Sequence, residues 1–186
     1  MSVSLRPYDA TTDADELYDL KLAFERGLGE NTGGDGKAAT YAGKLTDDYR
    51  ESWLAWVDRC VADDPRCVTV AVDEAAGNGD DADADLVGYV FCLPEQLAFI
   101  WDAAVINELY LAPDHRGSGV ADELMDAAVD LAADQDLPLD RIVLDVDAAN
   151  ERAQAFYARH GFEHWGEMVA RPVGDGDDRS PPSEGY

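Results

Sequence analysis

The chain has 186 residues, with 14 Lys and Arg against 40 Asp and Glu, a formal net charge of −26 and a hydrophobic fraction of 46%. That length suits a single domain with a sizeable core, and that charge excludes nucleic acid and an anionic membrane surface as partners, because both are bound through Lys and Arg. Acidic residues run through almost every segment instead of gathering in a patch, so a surface adapted to concentrated salt and a halophilic source are expected; at ~1 M salt the Debye length falls to roughly 3 Å and self-repulsion is screened.

Residues 3–8, VSLRPY, alternate as a short strand, and DATTDADELYDLKLAFERG follows with Leu17, Leu20 and Phe24 on one helical face. Residues 27–44 are glycine-rich and aperiodic, so they read as a loop that is either a connector or a substrate lid. The GDGKAAT within it is not a P-loop, since Ala38 follows the lysine where Ser or Thr belongs. From Leu45 to Ala62 a second helix sets Tyr49, Trp53, Val57 and Cys60 on one stripe, with Trp56 beside it. Its tryptophans are core residues or the wall of a cleft for an amine.

CVTVAV (67–72) and LVGYVFCL (86–93) are strands of a hairpin whose long acidic loop is solvated. AVINELYL (104–111) is the next strand. It leads through Pro113 and the turn Arg116-Gly117-Ser118-Gly119 into a helix with Leu124, Ala128 and Leu131 at apolar positions, stopping before Pro138. RIVLDVDA (141–148) is a strand, NERAQAFYARHGF a helix ended by Gly161, and FEHWGEMVA (162–170) a final strand. The order predicts an α/β fold with a mixed sheet of about six to seven strands and about four helices, one domain over residues 1–170, and a polar, Pro- and Gly-rich tail over 171–186.

Cys60, Cys67 and Cys92 are odd in number and form no CxxC pair, which reads as reduced thiols and not as a zinc site. His160 and His164 are four apart, but Gly161 breaks the helix between them, so no metal is expected. No signal-like stretch and no run near the ~18 apolar residues of a membrane span is present, which predicts a cytoplasmic protein.

The turn after 104–111 is the most informative stretch. Two glycines at a helix start leave the first backbone N–H groups bare, and those groups have no partner inside the helix. The macrodipole adds roughly half a positive charge there, so a phosphate fits, with Arg116 as a second clamp; the plainer alternative is a surface turn that merely bends. His115 beside it reads as a solvated turn histidine.

Arg116-Gly117-Ser118-Gly119-Val120-Ala121 after a strand resembles the acyl-CoA-binding signature (Q/R)xxGx(G/A) of the GNAT superfamily of N-acetyltransferases. LDVDAANERAQAFYARHGF (144–162) resembles that family's later strand–helix motif, through Asn150, Ala153, Phe156, Tyr157, Gly161 and Phe162. The resemblance covers roughly residues 3–170 and is strongest over 104–162. It implies acetyl transfer from acetyl-CoA to a primary amine, on a small molecule or a protein, without a metal. The pyrophosphate would sit on N–H groups from Gly117, Ser118, Gly119, Val120 and Ala121 with Arg116 adding charge; Leu109 and Leu111 would offer main-chain groups to the pantetheine arm, and Asn150 would bond it from the other side. Tyr157 falls at the family's general-acid position, and an unshifted tyrosine near 10 would be nearly balanced against an alkyl thiol.

Glu108 is the first choice for the base that takes the proton of the attacking amine, on the same strand face as Tyr110. Partial enclosure would raise its pKa. Leu109 N–H would polarise the thioester carbonyl. Trp101 and Asp102 are placed to meet an amine. A homodimer is compatible with this reading, and the alternatives are a non-catalytic acyl-CoA sensor of the same fold and a site for another phosphorylated ligand.

Overall fold

A computed structural model describes residues 2–31, 39, 42–74, 85–166 and 168. Half of the expected 27–44 loop, the acidic run 75–84 and the tail 171–186 lie outside the described residues. The elements are β1 (Val3–Pro7), α1 (Ala14–Asn31), α2 (Asp47–Asp63), β2 (Val68–Asp73), β3 (Asp85–Cys92), α3 (Glu95–Ala98), β4 (Ala104–Leu111), α4 (Val120–Asp134), β5 (Ile142–Val143) and α5 (Glu151–Arg159). Short 3-10 turns stand at Pro65–Cys67 and Pro113–His115. The chain forms two compact units, residues 1–151 and 152–186.

The first unit is built on a five-stranded sheet in the order β1-β2-β3-β4-β5. Neighbours are antiparallel except β4 and β5, which are parallel. β2 and β3 bury nearly every side chain of either parity, and a strand of alternating faces does that only when both faces of the sheet are covered. α1 packs on β3 and β4, and α4 on β2, β3 and β4. Leu17, Val57, Val70, Val90, Leu124, Met125 and Leu131 fill the layers between. Each fully buried side chain of this size contributes roughly 1.5–3 kcal/mol of transfer free energy.

Local signals set several boundaries. Thr46 has extended φ and ψ, and its hydroxyl accepts the Tyr49 N–H at 3.2 Å, so α2 begins where a threonine can cap it. Trp53, Val57 and Cys60 then bury one stripe of α2, while Trp56 stacks at 4.8 Å on Phe91. Gly88 faces Leu111 across the β3–β4 ladder. A Cβ at Gly88 would lie 2.8 Å from the Tyr110 carbonyl oxygen, so only glycine allows the two strands to close here.

Three expectations need correction. Among the described residues the sheet has five strands, fewer than the six to seven expected. Among the described residues, 162–166 and 168 form no strand, and of the expected 141–148 strand only Ile142–Val143 pairs. Alternation shows that a segment suits a sheet but not that a ladder partner is present. Beside the four longer helices, the described residues include the single turn α3, which was not expected. Finally, α1 continues through Gly27 to Asn31, beyond the expected loop start. A mid-helix glycine costs about 1 kcal/mol, an amount that packing of the rest of the helix offsets.

Candidate functional site

The first feature of the candidate site is the way β4 ends. Ala104 donates its N–H to Arg141 on the β5 side, and the Val105 carbonyl accepts from Leu93 on the β3 side. The β3 register then jumps, so that Phe91 faces Glu108 while Cys92 faces Ile106. Asn107 is the extra residue of a β-bulge. Beyond it the alternation has slipped by one, since Ala112 N–H now points to Val87 on the β3 side. The main-chain groups of Leu109 and Leu111 therefore face the other edge, where pairing with β5 stops at Val105. Apart from the Leu111 carbonyl, which accepts Arg116 Nε, that edge has no strand partner among the described residues, and it offers donors and acceptors of the kind an extended amide chain satisfies.

The turn that follows is held from within. Arg116 donates Nε to the Leu111 carbonyl at 3.1 Å, and Ser118 Oγ donates to the His115 carbonyl at 2.6 Å. Arg116 is thus a brace between the turn and the end of β4. Gly117 and Gly119 have φ of 79° and 95°, in the left-handed region that disfavours any Cβ. Gly119 caps α4 without a side chain, and a Cβ built on either glycine meets nothing within 4 Å. Open space thus lies beside the start of α4, where the Val120 and Ala121 N–H groups come too early in the helix for an i−4 partner, while Asp122 and Glu123 donate to the Gly119 carbonyl. Val120 N–H reaches only Ser118 Oγ, at 3.5 Å. This geometry fits a pyrophosphate, although Asp122 and Glu123 in the same turn add negative charge that works against an anion. Asn150 stands in a turn closed by its own N–H on the Asp147 carbonyl, just ahead of α5.

His115 is not the solvated turn residue expected. Its side chain is 12% exposed and lies 4.0 Å from the buried Asp73 carboxylate. Trp101 is exposed, and Asp102 holds a φ of 53° next to it.

Glu108 is buried, and its carboxylate is engaged on both oxygens. Oε1 accepts from Lys21 Nζ at 2.6 Å, Asn107 Nδ2 at 3.1 Å and Trp53 Nε1 at 3.4 Å, while Oε2 accepts from the Tyr89 hydroxyl at 2.7 Å. Lys21 Nζ also contacts Glu25 at 2.6 Å, and Glu25 contacts Lys44 Nζ at 2.9 Å and the Tyr49 hydroxyl at 3.3 Å. An alternating chain of charge thus runs from Lys44, 39% exposed, inward to Glu108. Burial alone would lower the Lys21 pKa, but the Glu108 and Glu25 carboxylates raise it above the ordinary lysine value. Burial would likewise raise the Glu25 carboxyl, but Lys21 and Lys44 hold it below the usual range. Burial, with the Glu108 charge adding to it, pushes the Tyr89 hydroxyl well up.

Lys21, Glu25 and Tyr89 were not singled out from the sequence. The signal was available: Lys21 and Glu25 are an i,i+4 pair on the stripe that also carries Leu17, and a salt bridge inside a buried stripe marks a site as readily as an apolar face marks a core.

In the second unit, α5 ends in a left-handed Gly161 with φ of 82°, and Phe162 N–H returns to the Tyr157 carbonyl at 3.0 Å. This is the Schellman closure that glycine permits. Tyr157 stacks between Phe156 and Phe162 at 5.5 and 5.6 Å. Burial pushes its hydroxyl up to about 12, above the ordinary value from which near-balance with a thiol follows. Tyr157 accordingly keeps its proton at every working pH and parts with it less readily than an exposed tyrosine.

Comparison with known proteins converges on one family. A family model described as Acetyltransferase (GNAT) family matches residues 37–162. Mycothiol acetyltransferase of Salinispora tropica is 28% identical over 137 residues, covering 67% of this chain and 44% of that protein. An uncharacterized N-acetyltransferase of Mycobacterium bovis is 41% identical over 58 residues, covering 31% of this chain and 36% of its own length. The chain therefore spans less than half the length of these relatives. Among solved structures, a GCN5-related N-acetyltransferase from Ralstonia eutropha JMP134 superposes with a TM-score of 0.61 at 22% identity, covering 93% of this chain and all (100%) of the other. AAC(6')-Iy, in complex with the bisubstrate analog CoA-S-monomethyl-acetylneamine, gives a TM-score of 0.61 at 13% identity, covering 92% and 98%. At those identities the superpositions speak for the fold alone. With a family model matching more than half of the chain, and the fold agreeing, the chain belongs to the GNAT family of acetyltransferases.

Proposed function

We propose that this acyltransferase moves the acetyl group of acetyl-CoA directly onto a primary amine held in the same complex, without an acyl-enzyme. The observation that supports this best is the open edge of β4 past Val105, running straight into the glycine turn that opens α4. An extended pantetheine arm needs the first and a pyrophosphate needs the second. When bound, acetyl-CoA supplies an activated acyl group on sulfur; everything else falls to the chain. Gly117 to Ala121 present N–H groups and Arg116 a cation to the phosphates, Leu109 and Leu111 bond the arm, and Asn150 closes on it. Leu109 N–H polarises the carbonyl that the amine attacks. Glu108 takes the amine's proton, and the sequence motif gives Tyr157 the role of general acid that protonates the leaving sulfur.

The role of Tyr157 rests on its place in the sequence motif and on its protonated state. The acceptor is an amine-bearing small molecule or a protein amine. We extend the domain over residues 1–170. A second reading, a non-catalytic acyl-CoA sensor, draws on the engagement of Glu108 by Lys21. Calorimetric titration of acetyl-CoA against ADP, in ~2 M KCl to screen the acidic surface, tests the donor site: acetyl-CoA is expected to bind more tightly, and absence of binding by folded protein refutes the proposal. Tyr157→Phe then separates enzyme from sensor. An enzyme loses turnover in an amine screen while keeping its affinity for acetyl-CoA.

A further inference from the structure

The surroundings of Lys21 Nζ are those of a bound ligand. Two carboxylate oxygens, from Glu25 and Glu108, lie 2.6 Å away. The ring faces of Phe24 and Trp53 lie 5.1 and 5.4 Å from the nitrogen. Lys21, Glu25 and Glu108 are each at most 5% exposed as side chains. Carboxylates with aromatic faces, away from water, form the recognition set for an alkylammonium ion.

Around Glu108 the other donors are a phenol, an indole and an amide, from Tyr89, Trp53 and Asn107. Lys21 is the one primary ammonium among them. An acceptor amine is also a primary ammonium near neutral pH, and it must bring its nitrogen within hydrogen-bond distance of the carboxylate that takes its proton. Lys21 therefore marks the position and angle at which Glu108 receives such a group.

We propose that Glu25, Glu108, Phe24 and Trp53 form a primary-ammonium subsite that Lys21 fills, and that an unbranched primary alkylamine acceptor places its nitrogen there when Lys21 withdraws. The part of this that concerns the acceptor rests on the acetyltransfer reading above. Lys21 is then a tethered competitor, present at the high effective concentration of an intramolecular group. The site needs a nitrogen with at least two N–H groups, one for each carboxylate, which a tertiary or quaternary ammonium lacks.

The test is Lys21→Ala in the full chain, with n-propylammonium as the probe for the lost atoms. Calorimetric titration should show saturable binding at least about tenfold tighter than to the wild type, with a matching rise in the unfolding midpoint. Neither n-propanol, which has the shape without the charge, nor tetramethylammonium, which has the charge without N–H, should do the same. A folded Lys21→Ala protein that does not favour n-propylammonium, or a wild type that binds it equally well, overturns the proposal. If Lys21→Ala does not fold alone, it is refolded with and without n-propylammonium. Recovery only with the probe supports the subsite, and equal failure overturns it. Lys21→Met keeps the volume and should not bind the probe. Acetyl-CoA titrated into the wild type separates the two proposals, since loss of donor binding refutes the acetyltransfer reading while leaving the ammonium result intact.

Discussion

Removing the ammonium of Lys21 while keeping its bulk, as in Lys21→Met, perturbs a buried cation paired with two carboxylates. Lys21 Nζ is 2.6 Å from both Glu25 and Glu108, and all three side chains are buried. Truncating one partner of a buried pair costs about 3–5 kcal/mol, because the other charge is left uncompensated. Glu25 keeps Lys44 at 2.9 Å, and Glu108 keeps Tyr89, Asn107 and Trp53 as donors, which puts the loss near the lower end, about 3 kcal/mol. Against a domain stability of about 5–15 kcal/mol that is large, and for a chain of this size it lowers the unfolding midpoint by roughly 6–12 °C. Urea unfolding followed by tryptophan fluorescence at pH 7 and fixed KCl measures it. Glu108→Gln added to Lys21→Met removes the stranded charge and should return at least about 1 kcal/mol, so the two changes are not additive. A loss below about 1 kcal/mol, or simple additivity, refutes the view that this network is a charge-balanced buried chain.

The same network sets a pH window. Lys21 is raised, so its contribution is complete below the unfolded lysine value of about 10.4 and fades as pH climbs through the higher folded value. Glu25 is lowered, so its contribution is complete above about 4.3 and fades as pH falls through the lower folded value. Burial also raises the Cys60, Cys67 and Cys92 thiols, so stability falls above the unfolded cysteine value of about 8.5; between about 4.3 and about 8.5 the wild-type midpoints should be flat, and a sloping profile there would count against the Glu25 assignment. Gly88→Ala should cost about 1–3 kcal/mol by overpacking, because its Cβ would meet the Tyr110 carbonyl at 2.8 Å; an unchanged denaturation curve would show that the strands can part freely. Gly119→Asp puts a carboxylate where φ is 95° and the space is open. Acetyl-CoA affinity is expected to fall by more than about tenfold, and affinity equal to wild type by calorimetry would remove the turn from the cofactor site.

Much of this protein is legible in its sequence because the signals are local. The β4 span of 104–111, the α4 start after Gly119, the Gly161 stop and the buried stripe of Trp53, Val57 and Cys60 all follow from periodicity and from backbone angles that glycine alone tolerates. The tertiary structure decided what depends on partners distant in the chain. Alternation over 141–148 could not reveal that only two residues pair, nor could the composition of β4 reveal the bulge at Asn107 that turns Leu109 and Leu111 toward the open edge. Glu108 shows the limit most plainly. Its place on the strand was evident from the sequence, but its partner Lys21 lies 87 residues away. Only packing of α1 on the sheet brings a cation to that carboxylate, because the energy of a buried charge is set by neighbours in space and not in sequence.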